Sequence, residues 1–195
     1  MLGVDLAESE LRLADARGDG PFICADALNL PLADASVDAV VSSMGAVVIQ
    51  PARALFTEVG RVLKPGGIFA FTAPTVLPLH PRDFATSLGV VTRLRSLPRF
   101  PGPTEVTGYV DALVGTGLRK VEDARERYHF EVSSPEDAEL IVGALYLPTT
   151  SQKRRDAAVN WLVDRTIKEG PVRISIAMRR FVVLKQPVAT WDAEL

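Results

Sequence analysis

At 195 residues with 47% hydrophobic side chains, the chain has the size and apolar content of a single domain, so no second domain is expected. A charged fraction of 24% and a formal net charge of -2 exclude the general basic footprint of a nucleic-acid binder and leave a small molecule as the expected partner. The single cysteine, Cys24, excludes an internal disulfide, and its neighbours Phe22, Ile23 and Ala25 predict that it is a buried small side chain.

The first ten residues carry Asp5, Glu8 and Glu10 in place of a basic and then apolar leader, and no stretch approaches the roughly 18 apolar residues of a membrane span. A cytoplasmic protein with no membrane partner is therefore expected. Leu2 to Asp5 is a short apolar run closed by an acid, and Leu11 and Ala14 then recur at helical spacing from Glu8 until Gly18 stops the helix. Phe22 to Asp26 repeats the strand-then-acid design, a turn containing Pro31, Asp34 and Asp38 follows, and Ala39 to Ser43 is the third strand. Pro51 opens a helix whose apolar face is Leu55, Val59, Val62 and Leu63, Lys64-Pro65-Gly66-Gly67 ends it, and Ile68 to Thr72 is the fourth strand. Nearly continuous apolar strands alternating with amphipathic helices predict an α/β fold with a doubly wound, mostly parallel sheet.

Residues 75 to 104 hold Pro78, Pro81, Pro98, Pro101 and Pro103, which predicts a lid or insertion with at most one helix, around Phe84 to Leu97. Helices are then expected from Thr104 to Thr116, from Ser134-Pro135-Glu136 through Leu145, and from Gln152 to Lys168, with strands at Arg119 to Val132 and Val172 to Leu184. The last strand is expected to be antiparallel, and residues 105–195 to be the substrate side of the same single domain whose residues 1–74 form its ligand-binding part.

In an open parallel sheet, ligands bind beyond the carboxyl ends of the strands, which singles out the polar residues there. Asp5 can accept from both hydroxyls of a ribose, or can serve as an acid at a helix N-terminus. Asp26 can accept from an adenine amino group while the Ala27 backbone reads the ring edge, or can form an Asx turn. Ser43 and Met44 end the third strand, where a small residue and a gap filler would also close the core.

Three blocks carry a resemblance: Gly3-Val4-Asp5-Leu6, then Asp26 through Asp38 (DALNLPLADASVD), then Glu58 through Gly67 (EVGRVLKPGG). In combination these resemble the class I, Rossmann-like S-adenosylmethionine-dependent methyltransferases of type 11, over residues 1 to about 74. The resemblance implies S-adenosylmethionine as cofactor, with Asp5 and Leu6 at the ribose, Asp26 and Ala27 at the adenine, and Ser43 and Met44 beside the methionine moiety. No metal is implied. The family opens with a strand and a glycine-rich turn, which lie before the first residue here, so the sheet is expected to lack its centre. An upstream start is favoured over a short product with impaired binding, because the later cofactor contacts are intact.

Methyl transfer is an in-line displacement that rests mainly on proximity and orientation, so a general base is optional; His80 is the candidate, with a solvated loop histidine as its alternative, and His129 is read as structural. Trp161, Tyr146 and Phe84 are candidates for lining a substrate pocket. Ser42-Ser43-Met44-Gly45 stands where methyltransferases of base or glutamine amides carry Asn-Pro-Pro-Tyr, which disfavours nucleic-acid amino groups and leaves small-molecule acceptors. The competing readings are a non-catalytic module of the same fold and a nicotinamide-dependent dehydrogenase. The latter predicts a Tyr-x-x-x-Lys signature, and none of Tyr109, Tyr128 and Tyr146 has Lys four residues on.

Overall fold

A computed structural model describes residues 1–18, 20–75, 81–102 and 106–187, without side-chain burial for 81–83, 106 and 107. In chain order the elements are β1 (Gly3–Asp5), α1 (Glu8–Asp15), β2 (Phe22–Cys24), β3 (Val37–Ser43), α2 (Gly45–Val48), α3 (Ala52–Val62), β4 (Leu63–Pro74), α4 (Pro81–Leu94), α5 (Val106–Leu113), β5 (Leu118–Val132), α6 (Pro135–Gly143), α7 (Gln152–Glu169) and β6 (Val172–Lys185). β1 pairs β2 in parallel, and β3 pairs β4 in parallel at one edge of a four-stranded sheet ordered β3-β4-β6-β5. β6 runs antiparallel to β5, as expected: Gln186 N–H donates to the Gly117 carbonyl at 2.9 Å while Arg180 pairs with Glu122. Among the described residues the sheet is divided, with β1 and β3 in separate sheets.

The chain forms two compact units. The first holds β1 through β4, α5, the start of β5 and the end of β6. Its core is a ring cluster: Phe71 lies 4.9 Å from Phe69, 4.9 Å from Phe181, 5.2 Å from Tyr109 and 5.5 Å from Phe56. Around it pack Leu55, Val59, Val62 and Leu63, the apolar face expected of α3. The second unit holds α4, α6, α7 and the remaining parts of β5 and β6, around Leu94, Val132, Ala138, Val142, Ala158 and Leu162.

Some boundaries differ from the sequence expectation. β4 begins at Leu63 instead of Ile68, because Val37 pairs with Leu63 and Ala39 with Ile68, so Lys64 to Gly67 are extra residues looping out of one continuous ladder. Gly66 has φ 79°, and a Cβ on Gly67 would stand 2.9 Å from the Lys64 carbonyl oxygen, so both glycines are required by this loop. α4 ends at Leu94 and not Leu97, since Arg95 adopts φ 49°. Cys24 is exposed rather than buried; it is the last residue of a three-residue strand, and its Sγ lies 3.4 Å from the Leu6 carbonyl oxygen.

Candidate functional site

The register Asp5↔Cys24 places the carboxyl ends of β1 and β2 side by side, and the Ala25 N–H donates to the Asp5 carbonyl at 3.0 Å. Asp5-Leu6 and Asp26-Ala27 therefore leave the sheet together. Each aspartate is oriented by its own backbone: Asp5 Oδ1 accepts from Ala7 N–H at 2.8 Å, and Asp26 Oδ1 accepts from Leu28 N–H at 2.9 Å. Both local roles read from the sequence, the acid ahead of a helix and the Asx turn, are thus present. They occupy one oxygen of each carboxylate and leave the other to a donor from outside. Asp5, Leu6 and Asp26 are exposed, and Ala27 is half-buried.

Ser43 ends β3 opposite Thr72 of β4, and Met44 follows with φ 63°. A left-handed methionine is uncommon, and it costs energy that the surroundings must offset. Here the Met44 N–H donates to Thr72 Oγ1 at 3.3 Å, and a Cβ on the next residue, Gly45, would stand 2.6 Å from Ser42 Oγ, so a larger residue at the start of α2 would have to displace that hydroxyl. The two pairs of strand ends belong to the same unit, yet among the described residues no hydrogen bond of Asp5, Asp26, Ser43 or Met44 joins one pair to the other.

The loop that leaves Asp26 is held by α3. Leu30 N–H donates to Glu58 Oε1 at 2.6 Å, and Arg61 donates to the Leu30 and Leu32 carbonyls at 3.0 and 2.7 Å. The Arg61 guanidinium, helped by the Leu30 N–H, holds the Glu58 carboxyl below the usual carboxylate range. Sequence reading placed Glu58 and Arg61 only within the EVGRVLKPGG block. Their partners lie about 30 positions away, and no local pattern encodes that contact.

His80 lies outside the described residues. His129 is exposed on β5. Within the second unit Phe84 is 53% exposed and Tyr146 stacks on Phe100 at 5.7 Å, while Trp161 lies under Arg93 and Arg165 at 4.3 and 5.5 Å. A Cβ on Gly89 would clash with the Trp161 ring, so this aromatic serves the close packing of α4 on α7. Among the described residues no group of three His, Cys, Asp or Glu could hold a metal ion, and no helix is long and apolar enough to cross a membrane.

Residues 1–71 match a family model described as a methyltransferase domain. The chain is 42% identical over 78 residues to demethylmenaquinone methyltransferase of Corynebacterium urealyticum, a match covering 38% of this chain and 34% of that relative. It thus spans about a third of the curated relative's length. Among solved structures it resembles the YcgJ protein of Bacillus subtilis, with 18% identity, a TM-score of 0.59 and coverage of 96% of this chain and 82% of that one. It also resembles Haemonchus contortus phosphoethanolamine N-methyltransferase 2, solved with phosphomonomethylethanolamine and S-adenosylhomocysteine, with 20% identity, a TM-score of 0.52 and coverage of 95% and 43%. At these identities the structures show the fold alone. Residues 1–71 are thus similar in sequence to a methyltransferase domain, and the chain has a Rossmann-like methyltransferase fold.

Proposed function

We propose that the chain binds S-adenosylmethionine by its adenosine half and serves methyl transfer to a small-molecule acceptor. The observation that carries this reading is the pair of adjacent strand-end aspartates, each with one oxygen fixed by its own backbone and the other open to a ligand donor. That donor set fits the group. A ribose offers two hydroxyls to Asp5 beside Leu6, and an adenine offers its amino group to Asp26 and its ring edge to Ala27. Ser43 and the left-handed Met44, at the end of β3, would take the methionine moiety.

The cofactor, when bound, supplies an activated methyl group. This chain's residues bind and orient the adenosine half, and no acid–base step is required of them. His80 remains the candidate base for an acceptor hydroxyl. The relative's name makes demethylmenaquinone the first acceptor to assay.

Calorimetric titration of the full chain with S-adenosylhomocysteine and with adenosine tests the reading. One-to-one binding of both is expected. Asp5→Ala should weaken each by about 1–3 kcal/mol, because ribose hydroxyls are left unpaired. No heat from either ligand at millimolar concentration would overturn the reading in favour of a module of the same fold that binds no cofactor. The exposure of Asp5 and Asp26 is what keeps that second reading in play.

A further inference from the structure

From Ala25 to Ser36 the chain is neither helix nor strand, so its backbone polar groups need partners from elsewhere. The start of this loop is rigid by itself: Leu28 N–H donates to Asp26 Oδ1 and Asn29 N–H to the Asp26 carbonyl, both at 2.9 Å. From Leu30 onward the loop makes two bonds of its own, Leu32 N–H to the Leu30 carbonyl at 2.8 Å and Ser36 Oγ to the Ala33 carbonyl at 2.6 Å, and its other partners are on α3. Besides the contacts of Glu58 with Leu30 N–H and of Arg61 with the carbonyls of Leu30 and Leu32, Arg61 donates to Asp34 Oδ1 at 2.7 Å. The α3 backbone completes the set, as the Arg61 and Val62 carbonyls accept from Ala35 and Ser36 N–H, both at 2.9 Å.

Arg61 also grips both oxygens of Glu58, at 2.8 Å through Nε and 2.6 Å through Nη2. The side chains are 31% and 12% exposed. A partly exposed pair of this kind contributes little to overall stability. Its distinctive property is geometric, because a planar guanidinium with fixed donor directions sets several acceptors in one arrangement. The acceptors here include the Leu30 and Leu32 carbonyls and the Asp34 carboxylate of one loop.

We propose that Glu58 and Arg61 are positioning residues for base recognition: by fixing Leu30 to Asp34 they hold the preceding turn, Asp26 to Leu28, so that the Asp26 carboxylate meets the exocyclic amino group of an adenine. This rests on the cofactor reading above. The turn has one junction not tied by its own hydrogen bonds, at Asn29-Leu30, and the Glu58 carboxylate closes it. A carboxylate held there accepts from an amino group and repels the carbonyl that inosine carries at the same position, so the clamp should be read out as base selectivity.

The full chain is titrated with adenosine and with inosine as wild type and as Arg61→Lys, Glu58→Gln and Asp5→Ala, each checked for folding by thermal melting. Arg61→Lys keeps the charge and loses the fork; Glu58→Gln keeps the shape and loses the charge. Both should weaken adenosine about tenfold and leave inosine within about twofold, whereas Asp5→Ala should weaken both nucleosides alike. If Arg61→Lys does not fold, Glu58→Gln carries the test. An unchanged adenosine-to-inosine ratio in a folded clamp variant overturns the positioning role, while adenosine binding that Asp5→Ala weakens leaves the cofactor reading standing. Wild-type chain that binds no adenosine overturns both.

Discussion

Tyr109 is 1% exposed, its ring lies within 5.2 Å of Phe71 and 5.1 Å of Phe181, and its hydroxyl has no hydrogen-bond partner among the described residues. Burial pushes the phenol's pKa well above its ordinary 10. A buried hydroxyl left unpaired costs stability, so Tyr109→Phe should raise unfolding free energy by about 1 kcal/mol and the melting midpoint by about 2–4 °C. The sign of the pH dependence follows from the raised pKa. The contribution of a neutral Tyr109 is intact below the unfolded phenol's pKa and is lost as pH rises through the folded one, so alkaline melts of wild type should fall more steeply than those of Tyr109→Phe. A lower midpoint for Tyr109→Phe would show that the hydroxyl is satisfied, and parallel alkaline curves would show that the folded phenol ionises as readily as the unfolded one. The sequence could not reveal this cluster. Period 3.6 exposes Leu55, Val59 and Val62 as one face, but Phe56 gains its ring partners from Phe69, Phe71 and Tyr109, which only the fold brings near. The strand-end positions of Asp5 and Asp26 were legible because the strand-then-acid pattern is local.

Among the elements, α6 shows how a start signal becomes an energy. Ser134 Oγ accepts from Asp137 N–H at 3.1 Å while Asp137 Oδ2 accepts from Ser133 and Ser134 N–H at 2.9 and 3.0 Å, with Pro135 at the first helical position. Ser134→Ala should cost about 1 kcal/mol in chemical denaturation. The backbone donors, Ser133 first, hold the Asp137 carboxyl below its ordinary 3.8, so its contribution is present above the unfolded pKa and lost as pH falls through the folded one. The Ser134→Ala deficit, measured at pH 7 and again well below pH 3, should therefore shrink in acid. A deficit of equal size at both would assign it to the serine alone. This helix was read from Ser134-Pro135 directly, since the cap lies within four residues. β4 was not, because a loop of four residues inside one ladder looks in sequence like a helix end followed by a separate strand.

For the whole molecule, the division between β1-β2 and the larger sheet decides where the fold is weakest. β1 and β2 have three residues each, and α1 has no buried residue; Leu6 is 71% and Leu13 58% exposed. An open cleft lined by Gly3, Val4, Asp5, Leu11, Ala14 and Phe22 lies between α1 and the β1-β2 pair, where tight packing would otherwise be. Such a unit buries too little apolar area to be protected like the ring cluster around Phe69 and Phe71. The sequence showed the alternation of these elements, yet not how little each buries, which depends on what packs over them. Hydrogen–deuterium exchange should thus find the amides of residues 3–5, 8–15 and 22–24 exchanging orders of magnitude faster than those of 69–71. Ligand should narrow the gap. If adenosine is held between Asp5 and Asp26, nucleoside at about a hundred times its Kd adds about 2.7 kcal/mol to every opening that releases it, and exchange in β1 and β2 should slow roughly a hundredfold. Exchange near 69–71 should change less wherever it proceeds by openings that keep the ligand bound. Protection appearing only around 69–71 on adding adenosine would place the ligand elsewhere and remove Asp5 and Asp26 from the site.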